Sequence, residues 1–297
     1  MDVSVVVLNY NTREHLRVCL RALRAEISAY AGPEIEVLVV DNASSDGSAD
    51  MVAAEFAWVR LIRSPRNGGF AFGNNQALPH ARGEAILILN PDTCMPPGGI
   101  AALFRKLREH PEAGIIGPRL LRPDGSMHLA CRRSFPTPSV SFYRFSGLAR
   151  LLPASSRFGR YNLTFVDADL AIEVDSVCGA CMLVRREVVE RIGMLDERFF
   201  MYGEDLDWCL RARQAGWTVR YEPSIVVQHQ HGASSRQRAL RTNFHFFRAM
   251  DLFYRKHYAT QYHPLLTGVV RTSIYAALGL AMCRTVLTSP AERRVGF

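Results

Sequence analysis

The first 120 residues alternate short apolar runs with segments of helical period. Val3–Leu8 is a largely apolar run of strand length. Thr12 stands where an N-cap belongs, and Leu16, Leu20, Leu23 and Ile27 follow at helix spacing. Glu36–Val40 reads as a second strand, closed by the polar loop Asp41–Ser48, with Ser48 placed to cap the next helix. Val59–Arg63 is a short third strand. Asn67-Gly68-Gly69 signals a turn before a helix that holds Asn74 and Asn75. Ala85–Leu89 is a fourth strand, running into Asn90-Pro91-Asp92-Thr93. The order β-α-β-α-β-α-β predicts an α/β fold with a doubly wound, mostly parallel sheet. Such sheets bind ligands beyond the carboxyl ends of their strands. The loops that begin at Asn9, Asp41 and Asn90 therefore mark a site before any chemistry is considered.

The pattern weakens between residues 122 and 170. A hairpin at Pro123–Ser126 is followed by an irregular insertion of Pro, Ser, Arg and aromatic residues. Order returns with strands at Ile172–Val177 and Cys181–Arg185 and a helix at Arg186–Ile192. A helix at Glu204–Gln214 lies between Gly203 and Gly216. Trp217–Tyr221 and Ile225–His229 read as two strands, and the chain is helical from about Arg238. Two parts are expected: an α/β domain over 1–237 and a helical extension over 238–297. In the extension Leu265–Thr288 is mostly apolar, but Arg271 and Arg284 leave only 12 residues between them. A spanning helix needs about 20. An interfacial helix, or one packed on protein, is the expectation.

Composition narrows the class. A chain of 297 residues, 48% hydrophobic and 22% charged, is neither disordered nor fibrous. The net charge of +8 invites nucleic acid or an anionic membrane as partner. Yet residues 1–207 carry 23 basic against 25 acidic side chains, and residues 208–297 carry 13 against 3. The excess belongs to the last third, and no nucleic-acid motif accompanies it, so nucleic acid is not expected. Seven scattered cysteines and no basic, cleavable leader point to a reducing, cytoplasmic setting. Cys178-x-x-Cys181 lacks the second pair that a zinc site needs and reads as a buried strand segment.

Three acidic or imidazole positions could carry chemistry. Asp92 follows a buried strand directly; it can hold Mg²⁺ or Mn²⁺ against a diphosphate, or serve as a turn or helix cap. Glu204, Asp205 and Asp207 open a helix, where acids favour the dipole. Three carboxylates in four residues also repel one another, and Phe199, Phe200 and Tyr202 precede them, so a raised pKa and a general base are equally in reach. His229 ends a strand-like run and could complete a metal site with Asp92 or be a simple surface residue.

In order along residues 2–235 these segments resemble the family-2 glycosyltransferases of GT-A fold. The pieces are Val3–Thr12, Val39–Ser48, Arg66–Ala71 with Asn74, and Leu89–Thr93. Gly179-Ala180 before Arg185-Arg186, Asp196–Phe200, Tyr202–Asp207, and His229 before Gly232 and Ser235 complete the set. The nearest-looking branch is rhamnosyltransferase-like and builds cell-wall or surface polysaccharide. The resemblance implies that Asp41 contacts the base or ribose of a sugar nucleotide in a pocket lined by Asn9, Tyr10, Asn67, Asn74 and Asn90. It implies a divalent metal at Asp92 and His229. Asp205 would be the catalytic base, with Glu204 shaping the acceptor side. Gly179, Ala180, Asp207 and Trp208 are expected in the acceptor region. The family's metal motif is often Asp-x-Asp, whereas Asn90-Pro91-Asp92 supplies one carboxylate. The implied acceptor is a glycan, often linked to a lipid diphosphate at the cytoplasmic membrane face. Arg236, Arg238, Arg241, Arg248, Arg255 and Lys256 would meet head groups there. Phe244, Phe246, Phe247, Phe253 and Tyr254 would serve as interfacial anchors. A homodimer is also among the partners this reading admits. Two other readings compete. A sugar nucleotidyltransferase would need a Gly-rich loop where Asn9-Tyr10-Asn11-Thr12 stands. A non-catalytic nucleotide-sugar-binding or membrane-scaffold protein would not need Glu204, Asp205 and His229.

Overall fold

The computed structural model describes residues 1–29, 32–230 and 239–287. Its first half follows the apolar periodicity closely. β1 (Val3–Asn9), α1 (Arg13–Ala29), β2 (Ile35–Asp41), α2 (Ser48–Glu55), β3 (Arg60–Arg63), α3 (Phe70–Ala77) and β4 (Ala85–Leu89) appear in the expected order. The chain continues through β5 (Thr93–Cys94), α4 (Gly99–Glu109), β6 (Ala113–Leu121), α5 (Pro138–Phe145) and α6 (Leu148–Leu151). It then forms β7 (Ile172–Val174), β8 (Cys181–Arg185), α7 (Arg186–Ile192), α8 (Glu204–Gln214) and β9 (Thr218–His229). α9 (Ala239–His257) and α10 (Pro264–Leu287) follow.

One sheet runs β3-β2-β1-β4-β8-β6-β9-β5, with β7 also on β9. β1 to β4 are mutually parallel, and β8 enters antiparallel between β4 and β6. β1 and β4 are central and covered on both faces, which is why their residues read as continuous apolar runs.

β6 has no such run in the sequence, because Gly114, Gly117 and Pro118 break it. A Cβ at 117 would lie 2.6 Å from the Val177 side chain, so glycine is what lets the neighbouring backbone close in. Pro118 sits where the β6–β9 register shifts. On the partner strand the same shift absorbs Pro223–Ile225, so the two expected strands at Trp217–Tyr221 and Ile225–His229 are one bulged strand.

The helix caps also differ from expectation. The Thr12 hydroxyl donates to Asn9 Oδ1 at 2.7 Å rather than capping α1. The Arg13 N–H donates to Asp46 Oδ2 at 2.9 Å, and the Ser48 N–H donates to the other Asp46 oxygen at 3.0 Å. One carboxylate thus serves the first turns of α1 and α2, and Ser48 is its donor rather than a cap.

The expected boundary at 237 lies outside the described residues, as do Arg236 and Arg238. Beyond it, α9 shares a core with α8: Phe199, Leu206, Ala249, Phe253, Tyr254 and Tyr258 pack together. α10 lies on α9 through Ile274 and Ala281 against Phe247, with Arg271 donating to Asp251 at 2.7 Å. Phe247, Phe253 and Tyr254 are buried in these contacts and are not free to anchor in lipid. Lys256 is spent on Asp196 and Asp207. Arg241, Arg248 and Arg255 stay exposed at seven-residue spacing. Length and composition make α10 sufficient to cross a membrane, and most of its surface is uncovered.

Candidate active site

The loops beyond the carboxyl ends of β1, β2 and β3 are organised by side-chain amides. Asn9, at the end of β1, donates to Asp41 Oδ1 and to Ser44 Oγ, both at 3.1 Å. Asp41 Oδ2 takes the Ser44 N–H at 3.0 Å. Asn42 donates to Asn67 Oδ1 at 3.0 Å and to the Gly69 carbonyl at 3.2 Å. These bonds staple the strand-end loops after β1, β2 and β3 into one floor. Asn9 and Asp41 are buried within it. Tyr10, Asn67 and Asn90 are half-exposed at its rim. Asn74, expected to line the pocket, is instead fully buried, its amide donating to the Phe70 carbonyl at 2.9 Å. Helical spacing from Phe70 turns it inward.

Gly69 joins this floor to the segment before α8. Its φ is +93°, and a Cβ there would stand 2.2 Å from the Phe200 carbonyl oxygen. The next N–H, of Phe70, donates to that same oxygen at 2.6 Å. Only glycine permits this approach, which brings the donor loop against the segment that opens α8.

At that opening, Asp205 Oδ2 accepts from Arg133 at 2.7 Å and from the Gly179 N–H at 3.1 Å. Gly179 thus stands beside Asp205, and the next carbonyl, of Ala180, accepts from the Asn90 N–H at 2.9 Å. Arg133 was not anticipated; it lies in the insertion with no local motif. It is buried, and its guanidinium also donates to the Val177 carbonyl at 2.8 Å. Burial works against that charge, and Asp205 outweighs it, holding the group above its ordinary value.

Glu204 is the opposite case. One of its oxygens is buried with no hydrogen-bond partner. Burial, then the negative charge of Asp205, pushes its carboxyl up to about 8, so at neutral pH it is mostly protonated. Between the ordinary value of 4.5 and about 8, the folded state holds a proton that the unfolded state releases. Stability contributed at this position falls as pH rises through that window. Glu204→Gln should gain thermal stability on the wild type between pH 5 and pH 8, reaching more than about 1 kcal/mol at the upper end. A pH series of melting temperatures checks this, and a constant gap would refute it.

Asp207 and Trp208, expected beside the acceptor, are corrected to structural roles. Both are wholly buried. Trp208 Nε1 donates to the Gly193 carbonyl at 3.0 Å. Asp207 is bonded to Arg211 at 2.8 Å, Lys256 at 2.6 Å and His257 at 2.7 Å. Each follows Glu204 or Asp205 by three residues, on the same side of α8 but a turn deeper, where Lys256 and His257 of α9 close over Asp207 and the core closes over Trp208.

Asp92 and His229 do meet. Thr93 pairs with His229 across β5 and β9, and His229 Nε2 lies 3.3 Å from Asp92 Oδ1. Burial works against the Asp92 charge, and the His229 imidazole outweighs it, keeping the carboxyl below its usual range. The His128 ring stands edge-on to His229 at 5.3 Å, a neighbour that the sequence did not single out. Among the described residues no three metal-ligating side chains gather. One carboxylate and one imidazole still suit a Mg²⁺ or Mn²⁺ ion whose other ligands are diphosphate and water oxygens. Their 3.3 Å separation is close to the about 3 Å between adjacent ligands of an octahedral ion with bonds of about 2.1 Å.

The fold and these strand-end loops define a sugar-nucleotide transferase of GT-A type. The model of the family "Glycosyl transferase family 2" matches residues 4–193, and the chain belongs to that family. It is 31% identical over 245 residues to an N-acetylglucosaminyl-diphospho-decaprenol L-rhamnosyltransferase of Mycobacterium tuberculosis, covering 78% of this chain and 77% of that one. It is 31% identical to a low-salt glycan biosynthesis hexosyltransferase of Haloferax volcanii, over 72% of this chain and 62% of that one. Among solved structures, a mannosyltransferase of Pyrobaculum calidifontis with GDP-Man and Mn²⁺ superposes with a TM-score of 0.58 at 20% identity, covering 97% and 76% of the two chains. S. aureus TarS with UDP-GlcNAc does so with a TM-score of 0.58 at 16% identity, covering 93% and 72%. The chain is a glycosyltransferase.

Proposed function

We propose that the chain is an inverting transferase that moves rhamnose from a dTDP donor onto a hydroxyl of a lipid-linked sugar diphosphate at the cytoplasmic membrane face, for cell-wall or surface polysaccharide. The observation that carries this reading is the placement of Asp205, bonded by Arg133 and Gly179, next to a donor floor closed by Gly69 on Phe200. Similarity to the mycobacterial rhamnosyltransferase supports the donor sugar and the lipid diphosphate.

Asp205 takes the proton of the acceptor hydroxyl as that oxygen attacks the anomeric carbon. The bond from that carbon to the diphosphate breaks, and its electron pair leaves with the nucleoside diphosphate. Glu204, protonated and buried beside Asp205, keeps a second negative charge out of the acceptor side. Asp92 and His229 would hold a divalent ion, which when bound offsets charge on the departing diphosphate. Asn9 and Asp41 shape the donor floor from beneath, and Tyr10, Asn67 and Asn90 face the nucleotide. The arginine stripe Arg241, Arg248 and Arg255 and the apolar face of α10 would bring the extension to the membrane.

Melting temperatures with dTDP-rhamnose, UDP-GlcNAc and GDP-mannose, each with and without Mn²⁺ or Mg²⁺, test donor and metal together. dTDP-rhamnose with metal should give the largest rise, about 5 °C at a hundredfold excess over Kd. A rise with UDP or GDP sugars alone would reassign the donor. No rise with any of them would remove the reading.

A further inference from the structure

Nineteen large hydrophobic side chains are exposed among the described residues, and their distribution is uneven. Seven lie on α10. Six lie between residues 142 and 170: Phe142, Phe145, Leu151, Leu152, Phe165 and Leu170. This second group belongs to the excursion that contains α5 and α6. The excursion is folded, not loose. The Tyr143 ring packs edge-on against Phe158 at 5.0 Å, and Arg144 donates to Asn162 at 2.7 Å. The Ser134 N–H and hydroxyl donate to the Tyr161 and Arg160 carbonyls at 2.9 and 2.6 Å. With its interior filled in this way, the excursion still turns Phe142 and Phe145 outward, one helical turn apart on α5.

Its charge is one-sided. Residues 125–166 contain six arginines and no Asp or Glu. Arg133 is committed to Asp205, Arg132 donates to the Asp167 and Val166 carbonyls, and Arg144 is half-buried. Arg150, Arg157 and Arg160 are exposed. Phe142, Phe145, Leu151 and Leu152 stand among these arginines, while the exposed Asp167 and Asp169 lie at the far end beside Phe165 and Leu170, Asp169 paired with Arg119; the first four have the composition of a segment seated at a lipid headgroup boundary. A second copy of the same face would bring like charges together, which disfavours a symmetric protein contact.

We propose that this excursion is a contact with an anionic lipid bilayer, separate from the C-terminal extension. Phe142, Phe145, Leu151 and Leu152 enter the headgroup boundary, and Arg150, Arg157 and Arg160 meet lipid phosphates. The excursion itself contains Arg133, which holds Asp205, so docking here sets the acceptor side of the site at the membrane. In purpose this rests on the reading of a lipid-linked acceptor; the binding itself is measured without it.

The test is cosedimentation of the full chain with phosphatidylcholine vesicles, with and without phosphatidylglycerol. The wild type should bind the anionic vesicles and not the neutral ones. Arg150→Ser with Arg160→Ser should weaken that binding on the order of tenfold. Leu151→Ser with Leu152→Ser should also weaken it, with melting temperature unchanged. Wild-type binding by both pairs, while Arg248→Ser with Arg255→Ser loses it, overturns the proposal. So does sedimentation velocity showing that either excursion pair breaks a dimer of the wild type. Donor-induced melting shifts, measured on the same variants, report separately on the transferase reading, and a failure there leaves the vesicle result standing.

Discussion

Asp205→Asn should keep sugar-nucleotide binding near the wild-type level and lose transfer by about 10²–10⁴-fold, the range that a positioned general base contributes. The substitution preserves shape and the bond from the Gly179 N–H, which an amide oxygen can still accept. What it removes is the capacity to take a proton. Donor binding should be spared because the donor floor is built from Asn9, Asp41, Asn42 and Asn67, none of which bonds to Asp205. Glu204→Gln, assayed in parallel at pH 7, should retain most turnover, since the buried carboxyl it replaces is already largely protonated there. Donor-induced melting shifts and initial rates on the same preparations separate binding from chemistry. If Glu204→Gln were the dead variant and Asp205→Asn the active one, the base would be Glu204.

β1 and β4 were legible because they are buried on both faces, and both-face burial writes itself as an apolar run. β4 and β8 have the bounds that the sequence marked. β6 was not legible because Gly117 answers to Val177, 60 positions away, and Gly114 to Val188 and Trp217, and nothing nearby in the sequence signals either approach. The same division runs through the site. Asp92, His229, Glu204 and Asp205 stand at strand and helix ends, where position alone marks a polar residue as unusual. Arg133 lies in a stretch without periodicity, and its importance comes from a partner 72 residues on. Asp207 is the converse case. In sequence it is one more acid in a cluster, whereas a turn of helix puts it among Arg211, Lys256 and His257. The charge count misled in a related way. Division at residue 207 averaged the acid-free excursion with acids elsewhere and assigned all the positive surface to the tail.

The buried pair Arg133–Asp205 yields the largest stability effect. Arg133→Met replaces the guanidinium with an apolar chain of similar length and leaves the Asp205 carboxylate buried without its cation. Removing one partner of such a pair costs about 3–5 kcal/mol, which for a chain of this size lowers the melting temperature by roughly 5–8 °C. Transfer should fall with it, because Oδ2 then depends on the Gly179 N–H alone to fix the carboxylate's direction. The double variant Arg133→Met, Asp205→Asn distinguishes a charge effect from lost packing. With no charge left to compensate, it should recover most of the lost stability while remaining inactive, giving a coupling energy well above the about 0.5 kcal/mol expected of independent sites. If the double variant were as unstable as the sum of the two singles, Arg133 would serve the fold through its bonds to Val177 and Ser176, and its hold on the base would be incidental. Arg133→Lys completes the series. It keeps the charge, but its shorter stem does not carry the ammonium to the place of Nη2, the one nitrogen that bonds Asp205, Val177 and Ser176, so it should retain more stability than methionine and still transfer slowly.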